Sequence, residues 1–147
     1  MIITFFAAGL PKTAGSKRAF PIRKGGVFTG RVAVVDANKN AKDWKATVAS
    51  CASDAYSGPL LDGPIRLTIE FRLPRPKGHF GTGKNVGVLR NGSPKYPLSK
   101  PDALKLARCA EDALSSVIWK DDAQIVDEIL LKRYSERPGA WVEIEPL

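Results

Sequence analysis

Ile65-Arg66-Leu67-Thr68-Ile69-Glu70-Phe71-Arg72-Leu73 alternates apolar and polar side chains without a break. Successive side chains of an extended chain point to opposite faces. Ile65, Leu67, Ile69, Phe71 and Leu73 therefore share one face, and the four polar residues share the other. The segment reads as a half-buried strand with one polar face. Upstream, residues 41–56 are Ala-rich, and Trp44, Val48, Cys51 and Ala55 recur at helical spacing until Gly58-Pro59 stops them. Residues 2–8 are apolar and read as a buried first strand. Residues 9–24 read as a basic loop punctuated by Pro11 and Pro21, and Val32 to Val35 as a short strand. Downstream, residues 74–100 form a long Pro- and Gly-rich connection, of the kind that is usually functional or disordered inside a compact domain. A helix is expected to start near Asp102, with Ala103, Leu106, Ala107, Ala110, Ala113, Leu114 and Val117 on one arc and Lys105, Arg108, Asp112 and Ser116 on the other. Residues 125–134 and 141–144 read as a closing hairpin around Pro138-Gly139. The pattern is α+β, a small mixed sheet flanked by two helices, in one domain over residues 1–147.

Charge is unevenly spread along this pattern. Residues 1–50 hold nine Lys/Arg and two acids, residues 51–100 hold eight and three, and residues 101–147 hold six and ten, for a net charge of +8. No acid lies between Glu70 and Asp102. Asp102, Glu111, Asp112, Asp121 and Asp122 then follow within a short stretch. A basic body attracts a polyanion, and clustered carboxylates repel one unless a cation lies between. That combination suits a metal-dependent nuclease, because Mg²⁺ takes carboxylate and phosphate oxygens together.

Other classes fit poorly. Cys51 and Cys109 form no disulfide or zinc framework and read as reduced thiols of a cytoplasmic protein. The single His79 cannot support a histidine metal site. No apolar run reaches the length of a membrane span, and the N-terminus lacks the positive region of a signal peptide, so no membrane partner is expected. Gly78-His79-Phe80-Gly81-Thr82-Gly83-Lys84-Asn85 nearly spells a phosphate-binding loop. Its last position lacks the hydroxyl that meets Mg²⁺, and no helical periodicity follows. His79 and Phe80 could instead stack on DNA bases or serve the loop's own surface.

The acids sit at informative places. Asp102 follows Pro101 at the mouth of a helix, where a capping role is the plain reading. Asp121-Asp122 precede a strand, where two adjacent carboxylates repel and a cation would relieve them. Lys100-Pro101-Asp102, Lys105-Leu106, Arg108, Asp112-Ala113-Leu114 and Trp119-Lys120-Asp121-Asp122-Ala123-Gln124-Ile125-Val126 together resemble the signature of the RusA-type Holliday junction resolvases of bacteria and phages. Gly9-Leu10-Pro11-Lys12, Lys17-Arg18 and Phe20 resemble that family's opening strand and basic loop.

The resemblance implies a homodimer that cuts four-way DNA junctions, or related flaps and forks, with Mg²⁺ (Mn²⁺ substituting), in the cytoplasm or, for a phage protein, the host cytoplasm. It puts the family's first acid on Asp102 and its last on Asp122, with Asp121 beside it as a further metal ligand. The motif lysine falls on Arg108 and the motif asparagine on Lys105. The middle acid falls on Leu104, which cannot ligate. Glu111 lies on the same helix flank and is the candidate replacement. Two carboxylates also suffice in principle, since Mg²⁺ keeps several waters. The expected catalytic group is therefore Asp102, Asp122, Arg108 and Glu111. Lys12, Lys17, Arg18, Lys77, Lys84, Lys100 and Lys105 are the expected DNA-binding residues. The loss at Leu104 keeps a second reading open, a non-catalytic recombination accessory protein that binds branched DNA.

Overall fold

A computed structural model describes residues 1–14, 17–36 and 40–147, without the side chains of residues 17, 18 and 34–36. The segment 65–73 is strand β4 (Ile65–Leu73), and its burial alternates as the sequence requires: Ile65, Leu67, Ile69, Phe71 and Leu73 are buried. It lies inside a four-stranded sheet ordered β1 (Ile3–Ala8), β6 (Gly139–Pro146), β4, β5 (Ile125–Tyr134). β1 and β4 run antiparallel to β6, and β5 runs parallel to β4. The sheet is mixed, as expected. The outer face of β4 carries Arg66, which donates to Asp127 and Glu145 on its two neighbours at 3.0 Å each.

Two helices cover the inner face. Helix α1 (Ala41–Ala55) packs against β1 through Trp44, Val48 and Ala52. Helix α2 (Ala103–Leu114) packs against α1, β4 and β5, burying Leu106, Ala107, Cys109, Ala110, Ala113 and Leu114. Together with Ile118 and Trp119 these residues form one continuous core under the sheet. No helix among the described residues is long and apolar enough to cross a membrane.

Two expectations are corrected. Residues 17–24 are not loop but strand β2 (Lys17–Lys24), paired antiparallel with β3 (Val27–Asp36), which is longer than the expected Val32 to Val35. This hairpin packs chiefly on itself, so no buried face imposes a clean alternation on its sequence. Residues 125–134 and 139–146 do not form a hairpin, because β4 lies between them. Burial explains the order. β6 buries Ala140, Val142 and Ile144 completely and belongs inside the sheet, while β5 is half-exposed and takes the edge. β4–α2–β5 is then a strand–helix–strand crossover, the connection that parallel pairing demands. Between β4 and α2 the chain makes short 3₁₀ turns at Lys77–His79 and Gly83–Asn85 and otherwise stays irregular.

Candidate active site

The acidic stretch spans both ends of α2. Asp102 is the N-cap residue, but its carboxylate does not cap the helix. It lies 3.7 Å from Lys105 Nζ, one turn on, and both side chains are largely exposed. Leu104 is 73% exposed beside it. Lys132 Nζ on β5 donates to the carbonyls of Ser99 and Pro101 at 3.0 Å each, tying this end of the helix to the far end of β5.

At the other end, α2 closes with Ser115 N–H donating to the Glu111 carbonyl, and Ser116 turns the chain at a φ of 66°. Ile118 and Trp119 then drop fully into the core. Buried Trp119 aims its indole Nε1–H at Asp122 Oδ1, 2.8 Å away, which fixes that carboxylate. Asp121 is used differently. It caps the 3₁₀ turn Asp122–Gln124 by accepting from Ala123 N–H, while Gln124 Oε1 accepts from Asp121 N–H. Gln124 Nε2 donates in turn to the carbonyls of Leu61 and Gly63, locking the turn to the segment that enters β4.

Glu128 completes the group. It stands opposite Leu67 in the β4–β5 register, hence on the sheet face that α2 covers. There it meets Glu111. The Glu111 carboxyl is pushed up to about 8 from an ordinary 4.5, first by burial, then by a hydrogen bond shared with Glu128, then by the negative charges of Glu128, Asp122 and Asp112. Burial and the neighbouring negative charges thus favour the protonated form of Glu111. Asp112 has a separate cationic neighbour, Lys45 Nζ on α1, at 3.5 Å.

Of the residues nominated from sequence, the structure brings Glu111 and Asp122 together and leaves Asp102 apart. Nine residues of helix separate Asp102 from Glu111, about 13 Å along the axis, and Asp102 is not among the charges that act on Glu111. Arg108 and Lys105 are exposed on the outer side of α2. Lys12 and Lys100 line one cleft, of about 230 Å³, beside Pro101 and Tyr134. Lys77 and Lys84 are exposed on the loop after β4. Lys17 and Arg18 lie on β2, with side chains outside the described part. Sequence reasoning missed Glu128. Its signal was the alternation Glu128, Leu130, Lys132, Tyr134, which only parallel pairing with β4 turns toward α2.

Among the described residues no group of three or more His, Cys, Asp or Glu side chains is arranged to hold a metal ion by itself. The donor chemistry nevertheless suits a hard divalent cation. All donors are carboxylate oxygens, and the charges of Asp112, Asp122 and Glu128 act together on Glu111. Mg²⁺ is commonly bound by one or two carboxylates, its remaining positions being filled by water and substrate phosphate.

Two comparisons bear on what this arrangement does. The family model described as endodeoxyribonuclease RusA matches residues 16–145. The uncharacterized protein YqaN of Bacillus subtilis (strain 168) is 32% identical over 142 residues, covering 97% of this chain and 94% of that protein.

Proposed function

The chain belongs to the RusA endodeoxyribonuclease family, and from that premise we propose that it is a Mg²⁺-dependent endonuclease that resolves four-way junctions or related branched DNA by paired cuts. The observation that carries this reading is the carboxyl cluster in which Glu128 hydrogen-bonds Glu111 and the charge of Asp122 acts on it, inside a chain of net charge +8. Asp122 and Glu111 would hold the cation, with the Glu128 carboxylate beside Glu111. A bound Mg²⁺ supplies an activated water and a polarised phosphoryl oxygen. The chain's own residues do the rest. Trp119 Nε1 keeps Asp122 oriented. Arg108 offsets charge that develops on the phosphate. The basic loops, with Lys12, Lys77, Lys84 and Lys100, hold the backbone through contacts that weaken with salt. Asp121 stays a capping residue and supports the turn. Asp102 is proposed for the same reaction on its place in the motif.

We infer a homodimer as the working unit. Within one chain α2 keeps Asp102 and Asp122 at opposite ends. A two-fold pair of chains that aligns α2 against its copy sets the front of one helix beside the rear of the other.

Cleavage of a synthetic four-way junction in Mg²⁺, with EDTA as control, tests the reading. Glu111→Gln and Asp122→Asn are expected to cut about a hundredfold more slowly or worse, with junction affinity retained. Leu104 favours a second reading, in which the protein binds branched DNA without cutting it. Binding by the natural chain with no nicks in Mg²⁺ or Mn²⁺, and nicking restored by Leu104→Asp, would establish that alternative.

A further inference from the structure

The loop after β4 builds a cup that the cleavage chemistry leaves unused. Its cavity, about 610 Å³, is lined by Phe80, Val86 and the backbone of Gly81 and Gly83, with Lys77 and Arg90 on its rim. The volume falls within the range of small-ligand sites, roughly 300–1,000 Å³. The walls are already in place. Gly81 N–H donates to the Val88 carbonyl and Arg90 N–H to the His79 carbonyl, each at 2.9 Å, and Arg90 Nε donates to the Phe80 carbonyl at 2.7 Å. The loop is also fastened to the sheet. The Arg75 guanidinium stacks 4.4 Å from the Tyr134 ring centre, and His79 meets the same ring edge-on at 5.5 Å. His79 is thereby committed to the loop's own anchoring, which leaves Phe80 as the aromatic surface of the cup.

Glycine is required in this wall. A Cβ at Gly81 would come within 2.5 Å of the Asn85 Cβ, and Gly83 has a φ of +58° that disfavours any side chain. The wall is consequently open backbone, which a flat ring can approach closely. The rim is purely cationic, because the chain has no acid from residue 71 to residue 101. An apolar cup with a cationic rim matches one chemistry, a planar base carrying a phosphate on each side. After residue 90 the chain continues without a further helix or strand to Asp102 at the front of α2.

We propose that this cup receives one unstacked DNA base at the branch point, against Phe80, with its flanking phosphates on Lys77 and Arg90. The proposal rests on the branched-DNA reading above and adds how the branch is told from continuous duplex, since bases at a branch unstack at low cost.

Photocrosslinking tests it. A four-way junction carrying one 5-iododeoxyuridine next to the branch is bound by the whole protein in Ca²⁺, which holds off cleavage, then irradiated and mapped. The crosslink is expected on Phe80. Phe80→Ala is expected to weaken junction binding about tenfold, and Val86→Asn, at a position already 74% exposed and outside the core, to weaken it in the same direction. Neither should change affinity for unbranched duplex of equal length. Crosslinks mapping outside residues 77–90, or junction affinity unmoved by Val86→Asn, overturn the cup and leave the nuclease reading standing if the natural chain still nicks the junction. Absence of any DNA binding by the natural chain overturns both.

Discussion

Glu111 ties the site's chemistry to a measurable property of the fold. Its carboxyl is raised from 4.5 to about 8 in the folded chain, so between those values the folded state holds a proton that the unfolded state has released. Stability from this group is full below about pH 4.5 and is lost as the pH rises through about 8. Metal-free protein should therefore lose melting temperature between pH 5 and pH 9 more steeply than Glu111→Gln, in which the group does not titrate. The comparison with the variant isolates Glu111 from the other acids. Added Mg²⁺ should raise the melting temperature of the natural chain more at pH 9 than at pH 6, because the ion replaces the proton only where the proton is easily given up. Parallel melting curves for the two proteins, in EDTA across that range, would refute the raised Glu111 carboxyl. Leu104 is the counterpart at the other end of α2. Its side chain is exposed, so an acid at that position would add a charge without disturbing any packing.

At the scale of elements, the β4–α2–β5 unit carries the acids and the β2–β3 hairpin carries much of the positive charge. The hairpin buries little against the rest of the chain, and Phe20, Val27, Phe28 and Val32 on it are exposed. Replacing residues 18–35 by a short Gly-Ser turn is therefore expected to leave the melting temperature of the body within a few degrees. It should weaken DNA binding and flatten its salt dependence. Arg18, Arg23, Lys24 and Arg31 are removed, and each phosphate that is no longer neutralised lowers the slope of log affinity against log salt by about 0.9. An unchanged slope would deny the hairpin a role on DNA. How legible these elements were in the sequence follows from burial. β4 was readable residue by residue because its inner face is fully buried, and α2 because its small and aliphatic residues keep one arc. β2 was not readable, since a strand with two exposed faces carries no alternation. The placement of β5 was not readable either, since pairing partners depend on which strand the core claims as central. Misreading that partner is what hid Glu128, whereas Glu111 and Asp122 could be named from motif and helix phase alone.

At the scale of the whole molecule, the distance along α2 decides how many chains make one site. If Asp102 of one chain serves with Asp122 of its partner, every site in a two-fold dimer takes one acid from each copy. Asp102→Asn and Asp122→Asn homodimers would each be inactive. Mixed and refolded in equal amounts, half of the dimers formed would contain one copy of each. In such a dimer one site has lost both acids, and the other has kept both. About a quarter of the natural number of sites should then be restored by random pairing. Each mixed dimer should make a single nick in a junction rather than two opposed cuts. Counting nicks against paired cuts on a circular junction substrate distinguishes this from sites built within one chain, where each site of a mixed dimer carries one defect and mixing restores nothing. An Asp102→Asn homodimer that still cuts, with Glu111→Gln and Asp122→Asn inactive, would confine the chemistry to the rear of α2 and leave Asp102 to its ion pair with Lys105.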